Sequence, residues 1–415
     1  LKVLLLSFYF QPDLCAGSFR NTAFVESLQK TLPINSQIHV VTTLPNRYLG
    51  FNVGALENES SDGLTVKRVK LPAHASGMVD QSRAFLAYAK QVSAFLKGKE
   101  YDLVFASSSR LMTAVLGAWV ARKLRVPLYL DIRDIFVDTI KDVLPRKLSW
   151  LMKPVFSVVE RWAILRAGRL NVVSAGFLPY FESRYPNVPK VVFTNGIDDE
   201  FLRVAPKVSS DKSSVGNSTE GLNGALIKVV YAGNMGEGQG LHNIIPDLAK
   251  ALEGRARFRL IGGGGRLRRL EEAIAHAGCS NVTIESPVER TELIQIYQQA
   301  DVLFLHLNDY DAFRKVLPSK LFEYGAMGKP IWAGVAGYAA RFINENLSNA
   351  AVFSPCDVAG AVSVFESLLI EDKPRQEFVN QFSRVEIMDE MAKDLVTLVN
   401  ESKKTQFKIS SENCQ

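Results

Sequence analysis

Three features of the sequence predict an α/β fold with more than one parallel-sheet domain. Short apolar runs alternate with helix-compatible stretches, the alternation restarts after a polar interruption, and glycine-bearing loops follow several of the runs. Strand, loop and helix repeated in that order set parallel strands between helices, with ligands held at the strands' carboxyl ends. With 415 residues the chain is too long for one core, so two domains joined by a linker are expected.

The first apolar run, residues 3–8, reads as a fully buried strand. It enters the loop F-Y-F-Q-P-D-L-C-A-G-S-F-R-N, and a helix follows through Leu28, the opening of a Rossmann-like unit. Gly17 is the loop's one glycine and G-x-G-x-x-G is absent, so a dinucleotide reading is weak. Further strands are expected at 38–43, 102–106, 127–131, 170–174 and 191–193. The fourth strand ends in D-I-R-D-I-F, which gathers Asp131, Arg133 and Asp134. Such charges either face an active cleft or pair internally to brace the loop, and both readings stand here.

Residues 141–169 combine cations with large apolar groups. Lys141, Arg146, Lys147, Lys153, Arg161, Arg166 and Arg169 face only Asp142 and Glu160, and Pro145 and Pro154 are expected to divide the segment into two helical pieces. Basic and aromatic residues together suit a helix lying on an anionic bilayer. That reading is favoured from Lys141 to Trp150; for the second piece a core helix with a solvated basic rim accounts equally well.

Asn195-Gly196-Ile197-Asp198 reads as a turn closing the first domain, and the polar residues 207–224 as linker. The pattern then restarts. A strand at 228–231 runs into A-G-N-M-G-E-G-Q-G-L, and one at 258–261 into four glycines and the basic helix start R-L-R-R. Both loops let backbone approach a phosphate closely, but neither is a P-loop, because no G-K-[ST] follows. Strands are expected at 282–284, 301–307 and 331–333, a helix at 292–300, a last helix ending near Asn400, and a frayed polar tail at 401–415. The expected boundaries are 1–200 for the first domain, 201–225 for the linker and 226–375 for the second domain. Helices at 376–400 would return to the first.

The stretch V-L-P-S-K-L-F-E-Y-G-A-M-G-K-P-I-W-A, residues 316–333, organises the second half. Pro318 suits a helix start, Gly328 a left-handed cap, and Pro330 blocks continuation. Ser319 and Lys320 fall in the first turn, where free backbone N–H groups favour an anion. Glu323 shares a face with Ser319, and a carboxylate there can accept both hydroxyls of a vicinal diol. Phosphate at a helix start and ribose on a carboxylate describe a nucleotide site; an ordinary amphipathic helix is the alternative.

Composition narrows the classes. The chain is 47% hydrophobic and 22% charged, so it is globular, and a net charge of +6 points to an anionic partner. The four cysteines are scattered, which argues for a reducing compartment and against structural zinc. The apolar start is too short for a signal peptide, and no run approaches the ~18 apolar residues of a membrane span. A soluble or peripheral protein is expected. The cations cluster at apolar surface without a recognition motif, so nucleic acid is not favoured.

The motifs, taken in order, resemble those of the GT-B glycosyltransferases, specifically the retaining family-four group. They are F-Q-P-x-x-x-x-G-S-x-R, F-T-N-G-I-D, Y-A-G-N-M-G-x-G-Q-G-L, L-I-G-G-G-G, A-D-V-L-F-L and P-S-K-L-F-E-Y-G-A-M-G-K-P, spread over most of the chain. The resemblance implies two Rossmann-like domains with parallel sheets facing a central cleft, the carboxy-terminal one holding a sugar nucleotide. It implies donor contacts at Gly17, Arg20, Gly233, Asn234, Gln239, Gly264, Arg266, Val288, Ser319, Lys320, Leu321 and Glu323. Glu323 matches the second glutamate of the family's E-x7-E motif; Lys315 stands where the first belongs. Asn234 and Gln239 occupy positions where the family often has Arg and Lys, and D-I-R-D stands about where it has a histidine. Asp131 and Asp134 are the catalytic candidates.

The implied enzyme is retaining and metal-independent, needs no cofactor, and uses a nucleotide-sugar donor, expected to be UDP-linked. It would move a hexosyl or acetamidohexosyl group to a polyprenyl-diphosphate-linked saccharide in bacterial surface-polysaccharide or lipopolysaccharide synthesis. Its expected place is cytoplasmic, peripheral on the inner face of the cell membrane. A nucleotide-sugar epimerase of the same fold, or a non-catalytic polysaccharide-assembly module, are the alternatives.

Overall fold

The computed structural model describes residues 1–45, 54–72, 78–108, 110–138, 146–206 and 226–412. The chain divides into two compact units, Leu1–Asn195 with Arg384–Gln415, and Gly196–Ser383.

The first unit opens with β1 (Lys2–Leu6), α1 (Ala16–Thr31), β2 (Gln37–Thr43), β3 (Asn58–Ser61), β4 (Leu64–Val69) and α2 (Met78–Phe95). It continues with β5 (Leu103–Ser108), α3 (Leu111–Leu124), β6 (Leu128–Ile132), α4 (Arg146–Ile164), β7 (Arg169–Val172), α5 (Leu178–Arg184) and β8 (Lys190–Val192). Its eight-stranded sheet has the order β3-β4-β2-β1-β5-β6-β7-β8, and only the β3–β4 pair is antiparallel. β1 lies between β2 and β5, and Val3 to Leu6 are wholly buried, as a central parallel strand covered on both faces must be. Val3 and Leu5 pack with Phe24, Val25 and Leu28 of α1.

The second unit runs through α6 (Asp199–Val204), β9 (Ile227–Asn234), α7 (Ile245–Ala251), β10 (Ala256–Gly263), α8 (Leu267–Ala277) and β11 (Val282–Glu285). There follow α9 (Arg290–Gln299), β12 (Val302–His306), α10 (Lys320–Met327), β13 (Ile331–Gly334), α11 (Tyr338–Asn346), β14 (Ala350–Phe353), α12 (Val358–Ser367) and α13 (Gln376–Gln381). Its sheet is parallel throughout, in the order β11-β10-β9-β12-β13-β14. Side chains alternate between its two faces. Val229, Tyr231 and Trp332 join the core under α7 and α12, whereas Val230, Ala232 and Ala333 join the core under α9, α10 and α11.

The last helix, α14 (Arg384–Glu412), belongs to the first unit. Met388, Met391, Leu395 and Leu398 enter the core of β1, β2 and β5, and the Tyr129 hydroxyl donates to Asp394 at 2.9 Å.

Several expectations need correction. The tail is no frayed coil: α14 continues to Glu412, because Glu401 pairs with Arg169 and Lys403 with Asp102. The expected domain bound at 200 moves to Asn195, and residues 376–383 stay with the second unit. Residues 201–206, expected in the linker, join the second unit, with Phe201 in its core; residues 207–225 lie outside the described residues. Pro154 does not divide its segment. α4 runs unbroken through it, with the proline ring on the exposed face, where water can satisfy the carbonyl it leaves unbonded. β3, β4 and β14 were not foreseen: N-E-S-S is a polar edge strand exposed at every position, and carries no alternation to read.

Candidate functional site

The second unit's polar groups gather at the carboxyl ends of β9, β10 and β12. β9 delivers Tyr231 and Gly233. The Lys320 ammonium, in the first turn of α10, donates to the Tyr231 hydroxyl at 3.0 Å and lies 4.3 Å from its ring centroid. Tyr231 in turn donates to the Asn234 carbonyl at 2.5 Å. A Cβ on Gly233 would sit 2.5 Å from Lys320 Nζ, and its φ of +136° is one that side chains rarely adopt. Glycine is therefore what lets the lysine amine rest on the strand's end. Gly264, at φ +155°, does the same for the loop after β10: a Cβ there would lie 2.7 Å from Asn234 Oδ1 and from the Met235 backbone.

The two glycine loops are tied together. The Arg266 N–H donates to the Met235 carbonyl at 2.9 Å, and its guanidinium pairs with Glu237. The Tyr310 hydroxyl donates to the other oxygen of Glu237 at 2.6 Å. Burial alone would raise the Glu237 pKa, but the hydrogen bonds from Tyr310 and Arg266 hold it below the usual value. Asn234 Nδ2 donates to Gln239 Oε1 at 2.7 Å, and the Gly236 N–H donates to the same oxygen. Asn234 and Gln239, expected as donor contacts, thus brace each other within the loop.

His306, at the end of β12, fixes this loop from below. Its Nδ1 donates to the Gln239 carbonyl at 2.7 Å, and its Nε2 accepts the Cys356 N–H at 3.0 Å. Accepting at Nε2 requires the neutral ring. Burial pushes its pKa down to about 4, opposed by the bond to Gln239.

α10 follows its sequence reading closely. Ser319 is the residue before the helix, Gly328 takes the left-handed cap at φ 70°, and β13 begins one residue after Pro330. The Leu321 side chain is wholly buried in the core, and its N–H is bonded to the Pro318 carbonyl. Val288 is half-buried and packs on the same core. Glu323 is half-buried and faces Arg290. Burial alone would lower the Arg290 pKa, but the carboxylates of Glu323, Asp198 and Glu200 raise it. The guanidinium also lies 5.0 Å from the Phe201 ring centroid.

In the first unit the structure separates two roles that the sequence left open. Asp131 is wholly buried: it accepts Arg20 Nη2 at 2.9 Å, Arg20 Nε at 3.1 Å, Asn171 Nδ2 at 2.7 Å and Ser107 Oγ at 3.3 Å. Arg20, also buried, spends its remaining donors on the Thr194 and Phe193 carbonyls and Met391. The internal Asp–Arg brace, one of the two readings open from the sequence, is thus formed by Asp131 with Arg20. Asp134 is exposed, and Gly17 lies against Arg133.

Sequence reasoning missed Tyr231, Arg290 and His306. Each acts through a partner distant in the chain; Tyr231 and His306 carry the local signal of polar residues on strands, and Arg290, the first residue of α9, carries none. Among the described residues no cluster of three His, Cys, Asp or Glu could hold a metal ion, and no helix is long and apolar enough to cross a membrane.

Two Rossmann-like units, one with a lysine-bearing helix start over a glycine strand end, define the class as GT-B. Family models agree: Glycosyl transferase 4-like domain matches residues 35–196, and Glycosyl transferases group 1 matches residues 218–384. The chain belongs to the GT-B glycosyltransferases. No curated protein matches it significantly. Among solved structures it is similar to a Burkholderia multivorans α,α-trehalose 6-phosphate synthase, at 14% identity over 98% of each chain with a TM-score of 0.67. It is also similar to WaaG, a glycosyltransferase involved in lipopolysaccharide biosynthesis, at 15% identity over 96% of this chain and 98% of that one, with a TM-score of 0.59. A third is Anabaena HepE (Alr3699) in complex with UDP, at 15% identity over 98% of this chain and all of the other, with a TM-score of 0.57.

Proposed function

We propose that this glycosyltransferase moves a hexosyl or acetamidohexosyl group, with retention, from a UDP-linked donor to a polyprenyl-diphosphate-linked saccharide in surface-polysaccharide synthesis. The observation that carries the reading is the start of α10. Lys320 rests over Gly233, and Glu323, one turn further in, is set against Arg290. On this reading Ser319, Lys320 and the helix N-terminus take the diphosphate, which gains charge as the sugar leaves. Glu323 accepts the two ribose hydroxyls, and Val288 borders the base. Gly264 and Arg266 line the approach from the second glycine loop. The acceptor hydroxyl attacks the anomeric carbon on the face from which the phosphate departs. The bond from that carbon to the phosphate oxygen breaks as the new glycosidic bond forms, and the hydroxyl proton passes to the leaving phosphate. Asp134, exposed after β6, is the carboxylate we assign to the acceptor side.

The reading is supported by a UDP complex and a lipopolysaccharide glycosyltransferase among the structural relatives. It extends to the membrane. Trp150 is 81% exposed on α4, and Val158 and Val155 are 67% and 53% exposed on the same helix. Lys153 and Arg161 are exposed among them, so the helix presents apolar groups with cations, suited to the cytoplasmic face of an anionic membrane. Purified enzyme incubated with UDP-sugars, with and without a polyprenyl-diphosphate saccharide, tests the whole. Transfer to the lipid is expected. Epimerised donor, or unchanged donor with every acceptor, would replace the reading by an epimerase or a non-catalytic module.

A further inference from the structure

The Lys320 side chain does not stay on its own helix's side of the sheet. Leu321 and Phe322 of α10 pack into the core that holds Val230 and Ala232, whereas Tyr231 belongs to the opposite face, in the core under α7 and α12. The amine nevertheless reaches Tyr231: Nζ donates to its hydroxyl at 3.0 Å and lies 4.3 Å from its ring centroid. The path crosses the end of β9 at Gly233, where a Cβ would stand 2.5 Å from both Nζ and Cε. A half-buried lysine is thus carried over a strand end to a tyrosine that is itself wholly buried.

Tyr231 is suited to fix an ammonium without cancelling its charge. Its hydroxyl donates its proton to the Asn234 carbonyl at 2.5 Å, which turns a lone pair toward Lys320. Burial raises the phenol's pKa well above its ordinary value, so the group stays protonated and neutral. The ring face adds a cation–π attraction, which grows where water is excluded. A carboxylate in the same place would offset the charge that a diphosphate needs. The glycine loop that follows, residues 234–240, contains no Lys or Arg, and its Asn234 and Gln239 are bonded to each other. The cation at the end of β9 is therefore brought there from α10.

We propose that Tyr231 is a positioning residue for Lys320: its hydroxyl and ring hold the ammonium at the end of β9, where the donor's diphosphate is bound and gains charge as the sugar leaves. This deepens the glycosyl-transfer reading and rests on it for the diphosphate. A lysine left free would spread its charge over many rotamers, and ordering it at each binding event would cost affinity. With Tyr231 in place the amine is ordered on folding, before the donor arrives.

Calorimetry on the full chain, with UDP in one arm and uridine in the other, tests the role. Tyr231→Phe keeps the ring and removes the hydroxyl. It is expected to weaken UDP about 10-fold and to leave uridine, which lacks the diphosphate, unchanged. In a Lys320→Ala background the same substitution should change UDP affinity no further, since the group it orients is gone. Unchanged UDP affinity in Tyr231→Phe overturns the proposal. So does equal weakening of UDP and uridine, which marks a packing role, or the same loss with and without Lys320. A second measurement needs no variant of Tyr231. In carbon–proton NMR the Lys320 ε-methylene, identified by its disappearance in Lys320→Arg, should lie upfield of the other lysines because it rides on the ring face. A signal at the ordinary lysine position overturns the proposal even where Tyr231→Phe does not fold. UDP binding that depends on Tyr231 through Lys320, in a chain that transfers no sugar, would uphold the positioning role and sink the transfer reading. Sugar transfer by parent and Tyr231→Phe at one rate and one UDP affinity would do the reverse, and a parent that does not bind UDP would sink both.

Discussion

Glu323 and His306 are single side chains in the second unit whose chemistry can be separated from folding. Glu323 neighbours Arg290, yet Arg290 also pairs with Asp198 and Glu200. Glu323→Gln should therefore leave the melting temperature nearly unchanged while raising the UDP dissociation constant at least several-fold. Each charged hydrogen bond to ribose is worth about 1.5–3 kcal/mol. Equal UDP affinity in parent and variant, read by calorimetry, would remove Glu323 from the site. His306 makes a pH prediction. Its folded pKa, about 4, lies below the ordinary 6.5, so between those values the unfolded chain binds a proton that the folded chain refuses. Stability from this ring is thus complete above pH 6.5 and is lost as pH falls toward 4. Going from pH 6.5 to 5, the parent should lose about 1.6 kcal/mol more than His306→Gln in urea titrations. Parallel pH profiles for the two proteins would show the ring to be protonated in the fold.

At the scale of the element, α10 is held from behind. Arg375 is buried and its guanidinium donates to the Ser348 carbonyl at 2.6 Å and the Lys329 carbonyl at 3.0 Å, and more weakly to Tyr324 and Gly325 in the helix's last turn. Burial draws its pKa down to about 10, with Asp372 opposing. The fork meets carbonyls that a helix end leaves unbonded, with the charge sign the dipole favours there. Arg375→Ala should cost about 3 kcal/mol or more, because several buried oxygens lose their donor together. Arg375→Lys should restore only part, since an ammonium cannot present the planar fork. Denaturant melts of the three proteins check this, and an alanine variant as stable as the parent would refute it. α10 itself was readable from the sequence because its limits are local: Pro318, Gly328 and Pro330 act through the backbone of their own neighbours. What holds it was not. Arg375 to Ser348, Lys320 to Tyr231 and Arg290 to Glu323 are pairings across the fold, and one sequence carries no trace of them. The same distance hid the role of Asp131, whose partner Arg20 lies on another element. Pro154 misled for the opposite reason: a local breaker was overridden by the packing of a long helix.

The whole molecule joins two parallel-sheet units by a chain that leaves the first at Asn195 and re-enters it at Arg384. Within the first unit, α4 is the element whose surface the fold leaves unexplained. Trp150 stands 81% exposed rather than buried, and just past the helix end Leu165 is 49% exposed and Arg166 stacks on Trp162 at 4.1 Å. An apolar face costs stability in water unless something covers it. On the reading proposed above, an anionic bilayer would cover it while attracting the basic residues at roughly 1 kcal/mol each, an attraction that salt screens. Trp150 would sit at headgroup level, where an amphipathic ring is favoured. Replacing Arg146 and Lys147 with Glu should abolish flotation with anionic liposomes, and Trp150→Ser with Val158→Ser should weaken it at every salt concentration. The charge reversal acts through the salt-sensitive part of binding, and the serine pair through the salt-insensitive part. UDP affinity, which we assign to α10, should be the same in all. Transfer to a water-soluble acceptor analogue should also survive, because the membrane then has no acceptor to present. The proposal fails if the parent shows no salt-sensitive binding to anionic vesicles, or if both variants float as it does.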